Sequence, residues 1–413
     1  MITSQKALQI ILDSTENFGI EEIPFLDSLG RILKEDIKAD RDFPPFNRVS
    51  MDGISVSFDI FTKGIREFPI ENIQPAGSPQ TELKNELYCI EVMTGAVLPE
   101  NTDAVIPYEQ VTIEKGKATV QIDQIKHLQN IHLQGKDRKG KDILVEKNSL
   151  ISAAEIGVFA TVGKNLVKVA RQPKVMIIST GDELVEVSEK PLTHQIRRSN
   201  SYTLVSLLQQ LRIQSETAHI VDDKPLLEEK IRQYLEEYDV LLFSGAVSKG
   251  KFDFLPEILD ELEVEKLFHR VKQRPGKPFW FGVSDLNSMN EQNEKDATQP
   301  KRTTIFAFPG NPVSTFVGCV KYFYPWYKKS MGLSFQNMDK AILSEDFIFK
   351  PELTYFLQVT LENKNGVLYA RPFMGNGSGD LANLADADAF LELPDDRNEF
   401  KKGEVFPLIT FRN

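Results

Sequence analysis

Apolar residues recur at helical spacing at the start of the chain, where Ala7, Leu8, Ile11 and Leu12 form one stripe and predict a helix within residues 1–24. From about Arg41 to Gln134 the pattern becomes short alternating runs, ISVSFDI, LYCIEVM, DAVIPYEQVTIE and KATVQIDQI, separated by Pro and Gly clusters. That punctuation predicts strands. Helical spacing returns in ISAAEIGVFATVG, where Ser152 and Glu155 form a capping box and Gly163 a stop. The two helical stretches are expected to pack together, leaving the β-rich part as an inserted module. From Arg171 to about Tyr327, the runs KVMIIST, ETAHIV, VLLFS and TTIFAF are nearly all apolar, as in strands buried on both faces of a parallel sheet. Between them lie two helical patterns, SNSYTLVSLLQQL with Asn200 or Ser201 as cap, and DKPLLEEKIRQYLEEY with Pro225 in its first turn. This alternation predicts a doubly wound α/β domain. Residues 284–302 are polar and read as a flexible surface insertion outside the sheet. FLQVTL, GVLYARPF, AFLELP and EVFPLITF then predict a small C-terminal β-barrel or sandwich.

Composition narrows the function classes. At 413 residues the chain is too long for one compact core, and several domains are expected. The net charge of −11 disfavours nucleic acid and anionic membrane as partners. Cys89 and Cys319 both sit among apolar neighbours, which rules out a disulfide framework or zinc ribbon. The five histidines are scattered without metal-ligand spacing. No run approaches the length of a membrane span and the N-terminus has no signal-peptide layout, so a cytoplasmic location is expected.

In open α/β sheets, ligands bind beyond the carboxyl ends of the strands. Three such ends carry polar loops here. They are Ser179-Thr180-Gly181-Asp182-Glu183, then Ser244-Gly245-Ala246-Val247-Ser248 followed by Asp253, and Pro309-Gly310-Asn311-Pro312 leading into a helix. Gly310 allows close backbone approach, and Pro312 suits a first helical turn whose free N–H groups attract phosphate. Carboxylates beside phosphate repel it unless a cation intervenes, which makes Mg²⁺ the simplest partner. Arg274-Pro275-Gly276-Lys277 supplies two cations for an anion. Together these features point to one phosphoryl-ligand crevice.

Seven ordered motifs carry a resemblance as well: PPFNRVSMDG, VMTGAVLPENTDAVIPYEQV, GKDRKGKDIL, STGDELVE, FSGAVSKGKFD, RPGKPFWFG and FPGNPVS. Their order over the whole chain resembles the molybdopterin molybdenumtransferases, a family that includes the gephyrin E domain. The resemblance implies a multidomain α/β protein with four parts. These are a discontinuous helical domain (residues 1–40 and 136–170), an inserted β-rich module (41–135), a molybdopterin-binding α/β domain with a mostly parallel doubly wound sheet (171–331), and a C-terminal β-barrel (332–413). It implies insertion of molybdenum from molybdate into adenylylated molybdopterin, with Mg²⁺ assisting and AMP released. A non-catalytic scaffold of the gephyrin E-domain type is the alternative. Carried over by motif, Asp52, Thr94, Asp137, Glu183, Asp222 and Asp253 form the catalytic set, Asp223 competing with Asp222, and Glu183 and Asp253 handle the metal. Ser179, Thr180, Gly181, Ser244, Gly245, Ser248, Arg270, Arg274, Lys277, Pro309, Gly310, Asn311 and Pro312 bind substrate. A homodimer is implied, with Asp52 and Thr94 reaching the partner's site, along with contact with the adenylyltransferase that supplies the substrate. Departures from the family pattern are Ala246 where a second glycine is usual, Ile54 where tyrosine is common, and the 284–302 insertion.

Overall fold

The computed structural model describes residues 1–247, 253–285, 302–333, 339–373, 375 and 377–412. Its central sheet has six strands: β1 (Val175–Thr180), β2 (Ser215–Ile220), β3 (Val240–Ser244), β4 (Glu265–His269), β5 (Trp280–Asp285) and β6 (Arg302–Phe308). Their order is β2-β1-β3-β6-β5-β4. The four apolar runs of the sequence supply the parallel strands β2, β1, β3 and β6, and β5 and β4 extend the sheet antiparallel. Every residue of β1 and β3 is buried, and alternate positions feed different cores. Val175 and Ile177 pack with Leu204 and Leu208 of helix α1 (Asn200–Gln210). Met176 and Ile178 pack with Leu227 and Ile231 of α2 (Lys224–Glu237) and with Ile258 of α3 (Leu255–Glu261). Each such aliphatic side chain stabilises the fold by about 1.5–3 kcal/mol, which is why both faces must be covered. The ends of the polar segment 284–302 are not loop. Ser284 and Asp285 pair with Thr303 and Arg302 in the β5–β6 hairpin, because strand pairing satisfies their backbone groups. Residues 286–301, the remainder of the expected flexible insertion, lie outside the described residues.

The β-rich stretch forms a second six-stranded sheet around Ile54, Val56, Phe68 and Ile106. The flanking stretches do not meet helix to helix as expected. The first helix spans only Ser4–Asp13, and Ala7 and Ile11 join the α/β core beside Trp326. Residues Ile20–Pro24 turn into a strand that pairs antiparallel with Leu166–Ala170. The later helix, Ala153–Thr161, is started by the capping box and places Phe159 against Leu33, Val167 and Val169. The reason lies in the periods. LVKVA alternates apolar and polar positions, and on pairing both segments alternate in exposure along their length, so each turns one face inward.

At the C-terminus, Thr354–Lys364 pairs with Val367–Pro372, that strand with Lys340–Leu343, then Val405–Thr410, then Ala389–Leu393, which returns to Thr354–Lys364. The ring closes into a barrel and thereby removes exposed edges. Two outside segments join it: Ile2–Thr3 pairs with Val271–Lys272, and Gln273–Arg274 with Thr354–Tyr355. The chain leading into the Arg274–Lys277 turn therefore belongs to the barrel sheet and not to the α/β sheet. Buried Gln273 fixes it, donating to the carbonyls of Pro275 and Gly276 (3.2 Å each) and accepting the Tyr322 hydroxyl.

Candidate active site

The carboxyl ends of β1, β3 and β6 open on one cleft of about 590 Å³. Ser179, Thr180, Gly181 and Glu183 line it after β1, Ser244 and Gly245 after β3, and Pro309, Gly310, Asn311 and Pro312 after β6. Asp222 and Asp253 complete the group. Ser248 lies outside the described residues. The β6 loop closes on itself, with the Asn311 carbonyl accepting from Ser314 and Thr315 N–H while the Thr315 hydroxyl donates to the Pro309 carbonyl (2.7 Å).

Glycine is required where two loops nearly touch. A Cβ on Gly245 would stand 3.0 Å from Thr180 Oγ1, at a backbone φ of +114° that side chains rarely adopt. Ala246, one residue on, has φ +55°. Its methyl is accommodated in a left-handed turn, a conformation that costs about 1–2 kcal/mol. Ala246→Gly is expected to raise stability by about 1 kcal/mol in denaturant unfolding. A loss of stability would show that the methyl's packing outweighs the strain.

The acids are arranged by backbone bonds. Asp182 Oδ1 accepts from Asp222 N–H (3.0 Å), whereas Asp223 caps α2 through Leu226 N–H (2.9 Å). Asp223 is therefore a cap and Asp222 faces the cleft. Burial, then the charges of Asp182 and Glu183 and, more weakly, Asp253, push the Asp222 carboxyl above its ordinary range. At low pH this group is protonated in folded and unfolded chains alike and imposes no penalty. As pH rises through its raised folded value, ionisation is opposed only in the fold, so stability falls. Asp222→Asn is expected to raise Tm at neutral pH and not at acid pH in metal-free protein, read by scanning calorimetry. An equal gain at both would locate the effect elsewhere. Among the described residues no three His, Cys, Asp or Glu side chains converge into a cage that would hold a metal alone. Mg²⁺ commonly uses one or two carboxylates together with substrate phosphates and water, and Glu183, Asp222 and Asp253 offer that hard-oxygen chemistry.

One wall went unrecognised in the sequence. Arg197, Arg198, Ser199, Asn200 and Ser201 also line the cleft. The cap of α1 is Ser199, not Asn200 or Ser201, and its side chain makes no capping bond. Asn200 instead donates to Ser244 Oγ (2.8 Å) and to the Gly310 carbonyl (2.7 Å), tying the β3 and β6 loops together. Two adjacent arginines just ahead of a polar helix start were the available signal.

The expected cations lie elsewhere. Arg274 lines a neighbouring cavity of about 330 Å³ with Tyr355, Gln358 and Ser378, and Lys277 is exposed. Arg270 is held by backbone bonding to Phe279. None of the three is among the residues lining the acid cleft. The cause is the barrel pairing of residues 271–274, which holds the turn against the start of the helix that begins at Pro312, where a Cβ on Gly276 would stand 3.7 Å from the Ser314 carbonyl. That helix start joins the two cavities, Pro312 lining one and Val313 the other. Asp52, Thr94 and Asp137 belong to the β-rich part and its flank. Thr94 N–H donates to Asp52 Oδ1 (2.6 Å), a bond that holds the Asp52 carboxyl below its ordinary range. Asp137 Oδ1 lies 2.8 Å from His132 Nε2.

Three family models match the chain: "MoeA N-terminal region (domain I and II)" over residues 2–163, "Probable molybdopterin binding domain" over 176–329, and "MoeA C-terminal region (domain IV)" over 340–411. A protein of Synechocystis named molybdopterin molybdenumtransferase is 38% identical, covering 100% of both chains. One of the same name from Staphylococcus epidermidis is 33% identical over 93% of this chain and 89% of its own. Crystal structures of the molybdopterin biosynthesis moeA protein of Pyrococcus horikoshii match at 27% identity with TM-scores of 0.82 and 0.80, covering 100% of both chains.

Proposed function

The chain belongs to the MoeA family of molybdopterin molybdenumtransferases, and from that premise we propose that its cleft binds adenylylated molybdopterin and inserts molybdenum from molybdate, releasing AMP. The observation that carries the reading is the junction of three strand-end loops with Glu183, Asp222 and Asp253 in one cleft, in a chain whose enzyme-named relative matches end to end. A purely scaffolding protein has no need of a raised carboxyl among acids. No helix among the described residues is long and apolar enough to cross a membrane.

The residues divide the work by chemistry. Backbone N–H groups and hydroxyls of the glycine loops bind phosphate oxygens and hold the scissile linkage in place. Glu183, Asp222 and Asp253 would hold Mg²⁺, which when bound offsets the charge of the anionic groups. Arg274, which lines the neighbouring cavity, and exposed Lys277 in the same turn supply cations for an oxyanion such as molybdate. A homodimer whose Asp52 and Thr94 complete the partner's cleft, and contact with the adenylyltransferase that makes the substrate, belong to the same proposal. Both Asp52 and Thr94 are held ready by their mutual bond.

Purified protein incubated with adenylylated molybdopterin, Mg²⁺ and molybdate is expected to release AMP only when molybdate is present. Molybdate-independent release would count against metal insertion. In mixed dimers of Asp52→Ala and Glu183→Ala subunits, part of the activity lost by each homodimer is expected to return. Absence of recovery would rule out a site shared between subunits.

A further inference from the structure

The Arg274–Lys277 turn has a buried hub. Pro275 and Gly276 are buried, while Arg274 and Lys277 on either side of them are exposed. The hub is filled by the buried side chain of Gln273. Gly276 has a φ of +86°, and a Cβ on it would stand 2.9 Å from Gln273 Nε2, so the amide occupies the space that a side chain would take. Because the Pro275 and Gly276 carbonyls can only accept, Nε2 faces them and Oε1 faces the other way. That leaves Oε1 in need of a donor.

The donor comes from the helix that begins at Pro312, which passes through a π turn over Cys319–Phe323, a rare geometry often found beside functional groups. Tyr322 in this turn is fully buried, and burial pushes its phenol above the ordinary range, so the hydroxyl keeps its proton. Its one hydrogen goes to Gln273 Oε1. The Tyr322 oxygen, having given that hydrogen, accepts from Ser4 Oγ at 3.0 Å. Ser4 begins the first helix and is brought here by the pairing of Ile2–Thr3 with Val271–Lys272. The result is a one-way relay from Ser4 to Tyr322 to Gln273 to two carbonyls of the turn, joining three distant parts of the chain. Phe279, whose ring centroid lies 5.0 Å from that of Tyr322, packs against it.

Arg274 follows Gln273 directly, so whatever fixes Gln273 and its two carbonyl partners fixes the backbone that carries the guanidinium. Resting on the reading of Arg274 as a cation for the oxyanion, we propose that Tyr322 is a positioning residue for Arg274, its hydroxyl setting oxyanion binding without touching the oxyanion. A hydroxyl with a merely structural role would cost stability when removed and nothing more. Tyr324 provides the matched comparison. It lies two residues on in the same helix, and its hydroxyl donates to the Leu207 carbonyl of α1 (2.7 Å), a bond that shares no partner with the relay.

Steady-state kinetics of the full-length protein, with molybdate and adenylylated molybdopterin varied in turn, test the assignment. Tyr322→Phe keeps the ring and leaves Gln273 Oε1 without its donor. KM for molybdate is expected to rise about tenfold, with KM for adenylylated molybdopterin and kcat at saturation changed by less than about twofold. Tyr324→Phe should lower Tm and leave the molybdate KM unchanged. Arg274→Ala should raise the molybdate KM at least as much as Tyr322→Phe. The double variant should go no further than Arg274→Ala alone, since the hydroxyl acts only through the guanidinium. If Tyr322→Phe fails to fold, Ser4→Ala decides instead, with an expected rise of about threefold in molybdate KM. With Arg274→Ala impaired, three results each overturn the positioning role and leave the oxyanion reading standing: an unchanged molybdate KM in the relay variant, an equal rise in Tyr324→Phe, or a double variant whose losses multiply. An unchanged molybdate KM in Arg274→Ala sinks both.

Discussion

Asp253→Ala is expected to lower molybdate-dependent AMP release by about 100- to 1,000-fold, the size of effect typical of removing one preorganised electrostatic contact from a reacting site. Asp253 lines the cleft with Glu183 and Asp222, just ahead of α3, and its charge is among those that push the Asp222 carboxyl up. Two consequences should appear together. Turnover falls because a hard-oxygen donor facing the phosphates is gone. The acid limb of the pH–rate profile also shifts toward lower pH, because Asp222 has lost one of the charges that raised it and ionises more readily. Circular dichroism and thermal melting would confirm that the fold survives, as expected for a side chain that is not part of the packed core. Unchanged turnover would remove Asp253 from the site, and turnover lost without any shift in the pH profile would detach it from Asp222.

The second large effect is expected from Gly245→Val. Its backbone φ of +114° is rarely adopted by side-chain-bearing residues, and a Cβ there would press on Thr180 Oγ1 at 3.0 Å and the Thr180 carbonyl at 3.3 Å. A Cβ on Gly310 would lie 3.8 Å from the Gly245 Cα, ordinary van der Waals contact, so the tight position of the pair is Gly245 and not Gly310. The branched side chain is expected to cost about 1–3 kcal/mol in backbone strain and to fill space that the ligand needs. KM for adenylylated molybdopterin should rise more than tenfold, with the larger part of the loss in kcat/KM. A variant that binds substrate normally would show that the β3 loop does not line the ligand's path. Comparison with Ala246→Gly separates the causes, since that neighbour also has positive φ but already carries a methyl.

Much of the cleft was legible in the chain because two rules are local. Buried parallel strands read as short apolar runs, and their carboxyl ends must be followed by whatever touches ligand. Thus Ser179–Glu183, Ser244–Gly245 and Pro309–Pro312 could be placed on one edge from the sequence alone. The choice between Asp222 and Asp223 could not be made that way. Both follow β2, and only the bonds to Asp182 and Leu226 decide which one caps a helix and which one lines the cleft. Arg198, Asn200 and Ser201 escaped notice for a similar reason. In sequence they resemble a helix cap, and the place of Asn200 on the cleft wall depends on its bonds to Ser244 and Gly310, which lie 44 and 110 residues away.

The sequence by itself determined the doubly covered sheet and the loops that border the cleft, because hydrophobic period and turn chemistry act over a few residues. The tertiary structure alone decided where the Arg274–Lys277 turn goes. A parallel pairing of Ile2–Thr3 with Val271–Lys272, and of Gln273–Arg274 with the barrel, joins residues hundreds of positions or a whole module apart. Such pairing depends on backbone hydrogen bonds that no local pattern of side chains records, and it is what sets Arg274 in a second cavity instead of among the acids.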